Sequence, residues 1–247
     1  MKTSSELRFF SLQKLNGSYG PAVAVTVTVL AINLVFSFFV EMIVQPSNIF
    51  SYAAYEVVCF LANLLLGVLI SGQAYFFMNI VYGKEAHFSD LSAGWKEHPE
   101  KAILLRIPFA LAGTLATAPI NIYVLFLKDA MDRNVLFVCM LLATAGGVIE
   151  VLLEIVYAQV LYLLHDFPDR SVTDLFRASA RLMDGHKGQY FLLVLSYLPL
   201  LVAGVMLFFI PALFVMSQLN AVQAAFYQAL VGPKREAEPP AAAIRYR

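Results

Sequence analysis

The sequence predicts an all-α membrane protein with six transmembrane helices that are joined by amphipathic hinge helices on the cytoplasmic side. Hydrophobic residues make up 60 % of the chain and charged residues only 14 %, whereas soluble domains average about 25 % charged residues. The mean hydropathy is +0.72. Apolar runs of about 18 residues or more recur along the chain, and runs of that length are typical of membrane-spanning helices.

Polar turns between these runs divide the chain into three parts. Residues 1–20 form a cytoplasmic amphipathic lead, residues 21–231 form the transmembrane domain, and residues 232–247 form a cytoplasmic tail. We expect the tail to be disordered because it is rich in Pro, Ala and charged residues. The predicted spans are 21–44, 52–82, 102–127, 135–164, 189–204 and 211–231.

The longest polar passage between two apolar runs, residues 165–188, predicts a hinge helix. Pro168 ends the incoming helix because proline cannot continue it. Ser171 and Asp174 have the spacing of a capping box that opens a new helix, and Gly185 is a typical C-terminal cap. Apolar and charged residues fall on opposite faces, so we expect this helix to lie on the membrane surface through its apolar face.

Lys and Arg are distributed unevenly, which predicts the orientation. Of the 17 in the chain, 15 lie in the lead, in residues 83–106, in residues 165–188 and in the tail. By the positive-inside rule all four segments are cytoplasmic, and six spans satisfy that arrangement.

Three parts of the chain also resemble one another, which indicates an internal repeat. Asn16-Gly17-x-x-Gly20 matches Asp184-Gly185-x-x-Gly188 at an offset of 168 residues, and Phe88–Leu91 matches Val172–Leu175 at an offset of 84. The repeated unit would be one amphipathic helix followed by a hairpin of two spans, used three times.

Glu150 and Glu154 are the strongest candidates for a functional site. They share one helix face, and they lie roughly 21 and 15 Å from the predicted cytoplasmic end of their span. A carboxylate is costly at that depth, so Glu150 is either protonated or paired, with Arg106 as a possible partner. A glutamine in the cytoplasmic half of each even-numbered span completes a candidate polar cavity: Gln73, Gln159 and Gln223. The alternative is a structural clamp of charges and hydrogen bonds between spans.

A second group of candidates lies in the hinge, where basic side chains could contact lipid headgroups. These are Arg177, Arg181, His186 and Lys187. The alternative is that they provide only the ordinary positive charge of a cytoplasmic loop.

No motif for catalysis, for a cofactor or for a metal is present in the sequence. We therefore expect a non-enzymatic protein without a cofactor. A formal net charge of zero argues against nucleic acid as a partner.

The last two spans and their hinge carry a family signature. It consists of Asp166-x-Pro168, Ser179-x-x-Leu182-Met183-x-Gly185-His186-Lys187 and Phe191-x-Leu193-x-Leu195-Ser196-Tyr197, with Pro211 and Ala225-Phe226-Tyr227 further on. In these segments the chain resembles the integral membrane proteins of domain-of-unknown-function family 975, found largely in Firmicutes. The resemblance implies a multi-pass protein of the bacterial plasma membrane, and it brings no known activity or substrate.

Two functions fit these observations. The first is a non-enzymatic assembly, regulatory or lipid-organising role, with membrane lipids as partners. The second is a small transporter or lipid-handling protein with an inward-facing polar cavity near Glu150 and Glu154. Against the second, no span shows the paired Gly/Pro interruptions of many transporter sites. The sequence leaves protein partners and homo-oligomerisation open.

The predicted orientation can be tested with single cysteines in a protein that lacks Cys59 and Cys139. Cysteines at Asn48 or Met131 should react with an impermeant maleimide added outside intact cells. Cysteines at Ser92 or Ala178 should react only after permeabilisation. The reverse pattern would overturn the orientation.

Overall fold

The structure is a bundle of helices. The computed structural model describes residues 3–43, 46–127 and 133–237, with side chains as far as residue 232, and the described residues contain no β-strand. Besides the α-helices there are a 3₁₀ helix (Phe88–Ser92) and a π-helical turn (Tyr123–Leu127). The helices are α1 (Ser4–Leu15), α2 (Tyr19–Ile43), α3 (Ile49–Val81), α4 (Ala93–Lys96), α5 (Pro99–Ile122), α6 (Arg133–Val156), α7 (Val160–Asp166), α8 (Val172–Met183), α9 (Lys187–Leu195), α10 (Leu198–Met206) and α11 (Ile210–Ala237).

Five helical stretches within the described residues are long and apolar enough to cross a membrane. They overlap the first five predicted spans, so the prediction of an all-helical chain with several possible membrane spans is confirmed. The five are Tyr19–Ile43, Ile49–Val81, Pro99–Phe126, Arg133–Asp166 and Lys187–Met206. Residues 128–132, between the third and fourth predicted spans, and the end of the tail lie outside the described residues.

The sixth predicted span, 211–231, falls within α11, which is not among the five. This helix has 28 residues, but Gln218, Asn220 and Gln223 lower the hydropathy of its central part. It packs against α1, α2, α3 and α10, and a helix surrounded by other helices has less need of an apolar surface toward lipid. The count of six spans therefore stays a prediction, and α11 itself continues beyond the predicted end at residue 231.

Two of the predicted spans are interrupted rather than continuous. The fourth stops at Val156 and resumes as α7 after a turn at residues 157–159. The fifth breaks between α9 and α10 at residues 196–197. The second break has a clear cause, since Pro199 has no N–H to donate to the carbonyl of Leu195.

The core of the protein lies toward one end of the bundle. Many of its fully buried large side chains come from the C-terminal halves of α3 and α11, with others from α7, α1 and α8. In contrast, no residue of α6 is buried within the chain, and α6 exposes Phe137, Leu141 and Val148. An apolar surface of this kind is suited to contact with lipid.

Helix α8 has the predicted ends but not the predicted contacts. The hydroxyl of Ser171 accepts a hydrogen bond from the N–H of Asp174 at 3.2 Å, and Gly185 adopts a positive φ of 76°. Its apolar face packs on the protein, with Leu175 and Met183 fully buried. That face is therefore not available to lie on the membrane, because α5, α6 and α7 cover it.

Helices α1 and α8 have the same length and the same register at an offset of 168 residues. Each has 12 residues, and each begins after a capping side chain, Thr3 or Ser171. The buried positions also correspond: Leu7, Ser11 and Leu15 in α1, and Leu175, Ser179 and Met183 in α8. However, α1 exposes 71 % of Phe9 while it buries Ser11, so its apolar residues are not confined to one face as expected of an amphipathic lead.

The segment between α3 and α5 is held by a close approach of two backbones. A Cβ atom at Gly72 would lie 2.0 Å from the carbonyl oxygen of Leu91, and one at Gly94 would lie 2.0 Å from that of Val68. Both distances are far below van der Waals contact, so only glycine fits at either position.

Replacing Gly72 or Gly94 with Ala should therefore destabilise the protein. The expected loss is at least the value typical of overpacking, about 1–3 kcal/mol. Gly147→Ala is the matched control, because nothing lies within 4 Å of a Cβ there and alanine favours a helix by about 0.5–1 kcal/mol. Thermal unfolding in detergent measures both effects. Equal melting temperatures for the three variants would contradict the close approach.

Candidate functional site

A polar cavity of about 230 Å³ lies between the helices of the bundle and is open on one side, where Glu154 is exposed. Residues of α3, α5, α6, α7, α9 and α11 line it, together with the turn between α6 and α7. Its polar lining consists of Arg106, Glu154, Tyr157, Tyr190 and Gln223. One cation and one carboxylate therefore share the same small space.

Arg106 reaches this cavity across α3. Its aliphatic stem packs directly on Gly67, where an added Cβ would lie 2.7 Å from Cγ and 2.8 Å from Cβ of the arginine. Its guanidinium carbon lies 5.7 Å from the centre of the Phe109 ring, a distance suited to a cation–π contact. The Nε atom is buried and has no hydrogen-bond partner.

Glu154 enters the same cavity from α6 but does not neutralise Arg106 by direct contact. Among the described residues, no carboxylate oxygen lies within 4.0 Å of a nitrogen of Arg106. The two charges attract each other through the cavity, and the space between them is open to a ligand or to water.

A second, apolar cavity of about 270 Å³ adjoins the first. The two share Glu154, Tyr190 and Gln223 in their linings. The other walls of the second cavity are aliphatic or aromatic: Val151, Ile155, Phe191, Val194, Leu195, Leu198, Leu201 and Leu219. Several of these remain exposed, including Leu195 at 44 % and Leu198 at 52 %, so the cavity opens on the outer surface of the bundle.

The structure brings together only some of the residues that the sequence analysis selected. Arg106, Glu154 and Gln223 line the polar cavity. Glu150 lies outside both linings, with its Oε1 atom 3.0 Å from the position of a Cβ at Gly113 of α5.

The other two glutamines also lie elsewhere. Gln159 is fully buried, and its amide nitrogen lies 3.7 Å from the sulfur of Met183. Gln73 is half-buried in α3 and lines neither cavity.

The other lining residues were not singled out from the sequence, among them Gly67, Phe109, Tyr157 and Tyr190. Aromatic residues are common in membrane helices and in cores, so their types alone carry no signal for a cavity. Gly67 could be noticed only as a small residue that permits a close helix approach.

The sequence analysis also missed a polar network at the end of α7. The side chain of His165 is only 1 % exposed, lies 3.0 Å from the hydroxyl of Ser71 and is 3.7 Å from Glu97. The carboxylate of Asp166 accepts hydrogen bonds from Tyr227 at 2.7 Å and Tyr82 at 3.3 Å. This network joins α7 to α3 and α11, and the pair His165-Asp166 just before Pro168 was its only signal in the sequence.

The hinge residues proposed for lipid headgroups are placed on or near the surface. Arg177 is exposed and lies 3.7 Å from Asp174. Arg181 donates from Nε to the carbonyl of Arg177, and a ring nitrogen of His186 lies 3.0 Å from the carbonyl of Asp184. Lys187 is exposed at the start of α9. Among the described residues there is no cluster of three metal-binding side chains.

Comparison with known proteins identifies a family but no function. The family model described as "Protein of unknown function (DUF975)" matches residues 1–234. No curated protein and no solved structure matches the chain.

The position of Glu150 leads to a stability prediction. Glu150→Gln should leave thermal unfolding in detergent nearly unchanged, because no cation lies within 4.0 Å of Glu150 among the described residues and glutamine keeps the shape of the side chain. Breaking a buried ion pair would instead cost about 3–5 kcal/mol. A loss of that size would show that Glu150 is charged and paired.

Proposed function

Since the chain belongs to the DUF975 family, whose description names no activity, we propose from its cavities that it is a non-enzymatic lipid-handling membrane protein. The protein takes an amphiphilic lipid from the surrounding membrane. The observation that carries this proposal is the junction of a charged cavity with an apolar cavity that opens on the surface of the bundle.

The two linings match the two parts of a lipid. An acyl chain gains little by moving from the bilayer into an equally apolar cavity, because both surroundings exclude water. The polar cavity must therefore supply most of the preference for the bound state. Arg106 and Glu154 can do so, since charges at a protein surface interact more strongly than they do in bulk water.

The two helix breaks support the proposal because both adjoin the cavities. Tyr157, in the first break, lines the polar cavity. Leu195 and Leu198, on either side of the second break, line the apolar cavity. Discontinuous helices are typical of substrate sites in transporters, so the argument that no span is broken no longer weighs against lipid handling.

We further propose that the protein spans the bacterial plasma membrane six times, with α11 as the sixth span and both termini in the cytoplasm. Arg106 lies seven residues after the start of α5, or about 10 Å along the helix. In this orientation the polar cavity is in the inner half of the membrane, and the lipid enters from the cytoplasmic leaflet.

The shared register of α1 and α8 supports a threefold repeat, in which each short helix precedes a hairpin of two spans. The hairpins are α2 with α3, α5 with α6 and α7, and α9 and α10 with α11. Each hairpin contributes to the polar cavity, through Gly67, Arg106 with Glu154, and Tyr190 with Gln223. The cavity is then the common centre of the three units.

Filling the apolar cavity tests the proposal. Leu201→Trp places a large ring in its lining, and the purified full-length variant should bind added phospholipid at least about tenfold more weakly, equivalent to about 1.4 kcal/mol. Native mass spectrometry in detergent, with one phospholipid class titrated at a time, measures the binding.

Leu200→Trp is the matched control, because Leu200 is 49 % exposed and lies outside the cavity lining. It should bind lipid as the unchanged protein does. Equal lipid binding by both tryptophan variants would contradict binding in this cavity.

A further inference from the structure

The charged lining also indicates which lipid headgroup the polar cavity takes. Arg106 provides a fixed positive charge whose Nε has no hydrogen-bond partner, and the arginine stem is held in place by Gly67. A buried donor on a guanidinium is costly when it is left unpaired. A phosphate oxygen would satisfy it, and arginine is well suited to phosphate because its guanidinium offers several donors in one plane.

Glu154 provides the opposite charge on the facing helix. It lines both cavities, so it lies where a headgroup would join the apolar part of the site. No nitrogen of Arg106 lies within 4.0 Å of the Glu154 carboxylate. The carboxylate can therefore form an ion pair with an ammonium group of a ligand. Tyr157, Tyr190 and Phe109 also line the cavity, and aromatic faces favour cations.

We propose that the occupant is a zwitterionic phospholipid, with its phosphate against Arg106 and its ammonium group against Glu154. This assignment rests on the proposed function and deepens it. An anionic lipid would place uncompensated negative charge beside Glu154, and a cationic amphiphile would leave Arg106 unpaired. A headgroup that carries both charges satisfies both side chains, and the lining of the adjoining cavity accommodates the first part of one acyl chain.

The two cavities are too small for a complete phospholipid. They accommodate the headgroup and the beginning of one chain, while the rest of the molecule stays in the bilayer beside the exposed residues Leu195 and Leu198. The site is therefore open at its side and recognises the headgroup without enclosing the whole lipid.

The test compares three phospholipids on the purified full-length protein by native mass spectrometry. Phosphatidylethanolamine and phosphatidylcholine are zwitterionic, and phosphatidylglycerol is anionic. The unchanged protein should bind at least one zwitterionic lipid about tenfold more tightly than the anionic lipid. The zwitterionic lipid that binds more tightly shows whether Glu154 pairs better with a primary ammonium group, as in phosphatidylethanolamine, or with a quaternary one, as in phosphatidylcholine.

Two charge variants then test whether the cavity is the source of the preference for zwitterionic lipid. Glu154→Gln should abolish the preference for zwitterionic lipid while anionic lipid binds at least as well as before. Arg106→Gln should weaken the binding of all three lipids. Glu150→Gln is the matched control outside the cavity and should keep the preference, and the melting temperature of each variant confirms that it is folded.

The outcomes separate this inference from the proposed function. Tight binding of anionic lipid by the unchanged protein, with loss of binding in Leu201→Trp, would overturn the headgroup assignment and leave lipid binding standing. A zwitterionic preference that persists in Glu154→Gln would also overturn the assignment. If no lipid binds in a manner sensitive to Leu201→Trp, the proposed function fails and this inference fails with it.

Discussion

The arrangement of the cavities depends on one electrostatic constraint, the half-buried guanidinium of Arg106, whose buried Nε has no hydrogen-bond partner. Arg106 cannot withdraw easily, because its stem crosses Gly67 and its charged end lies near Phe109. The carboxylate that could neutralise it, Glu154, is in the same cavity but not within 4.0 Å. Two opposite charges that share a cavity without touching leave both free to pair with a ligand, and the proposed lipid headgroup would contact both.

The helices that create this constraint are held by contacts at one end of the bundle. Glycines at positions 72 and 94 let two backbones approach each other, and Asp166 accepts hydrogen bonds from Tyr82, just after α3, and from Tyr227 in α11. These contacts lie within the buried core, whereas no side chain of α6 is buried within the chain. The exposed apolar side chains of α6 are suited to contact with lipid, beside the opening of the apolar cavity that Val151 of the same helix lines.

Composition and local signals were sufficient to predict much of the fold. Apolar runs gave the helices that could cross a membrane, and Ser171 with Gly185 gave the ends of α8. The membrane contact predicted for α8 was wrong, because amphipathicity shows that a face is buried but not whether lipid or protein covers it. The break at residues 157–159 was also missed, since Tyr157, Ala158 and Gln159 include neither proline nor glycine.

The candidate site was predictable only in part, for a physical reason. Charged residues within apolar runs are unusual, so Arg106 and Glu154 were visible in the sequence. Which of two carboxylates on one helix face reaches a cavity depends on the neighbouring helices. Glu150 packs against Gly113 of α5, whereas a cavity lies between Glu154 and the helices α9 and α11. That difference arises from long-range packing and has no local signal.

An experimental map of the protein in nanodiscs of mixed zwitterionic and anionic phospholipids would test the central claim most directly. Lipid binding predicts elongated density in the apolar cavity, ending in a headgroup whose phosphate lies within hydrogen-bond distance of the Arg106 guanidinium and whose ammonium group faces Glu154. An empty apolar cavity, together with a direct ion pair between Arg106 and Glu154, would contradict it.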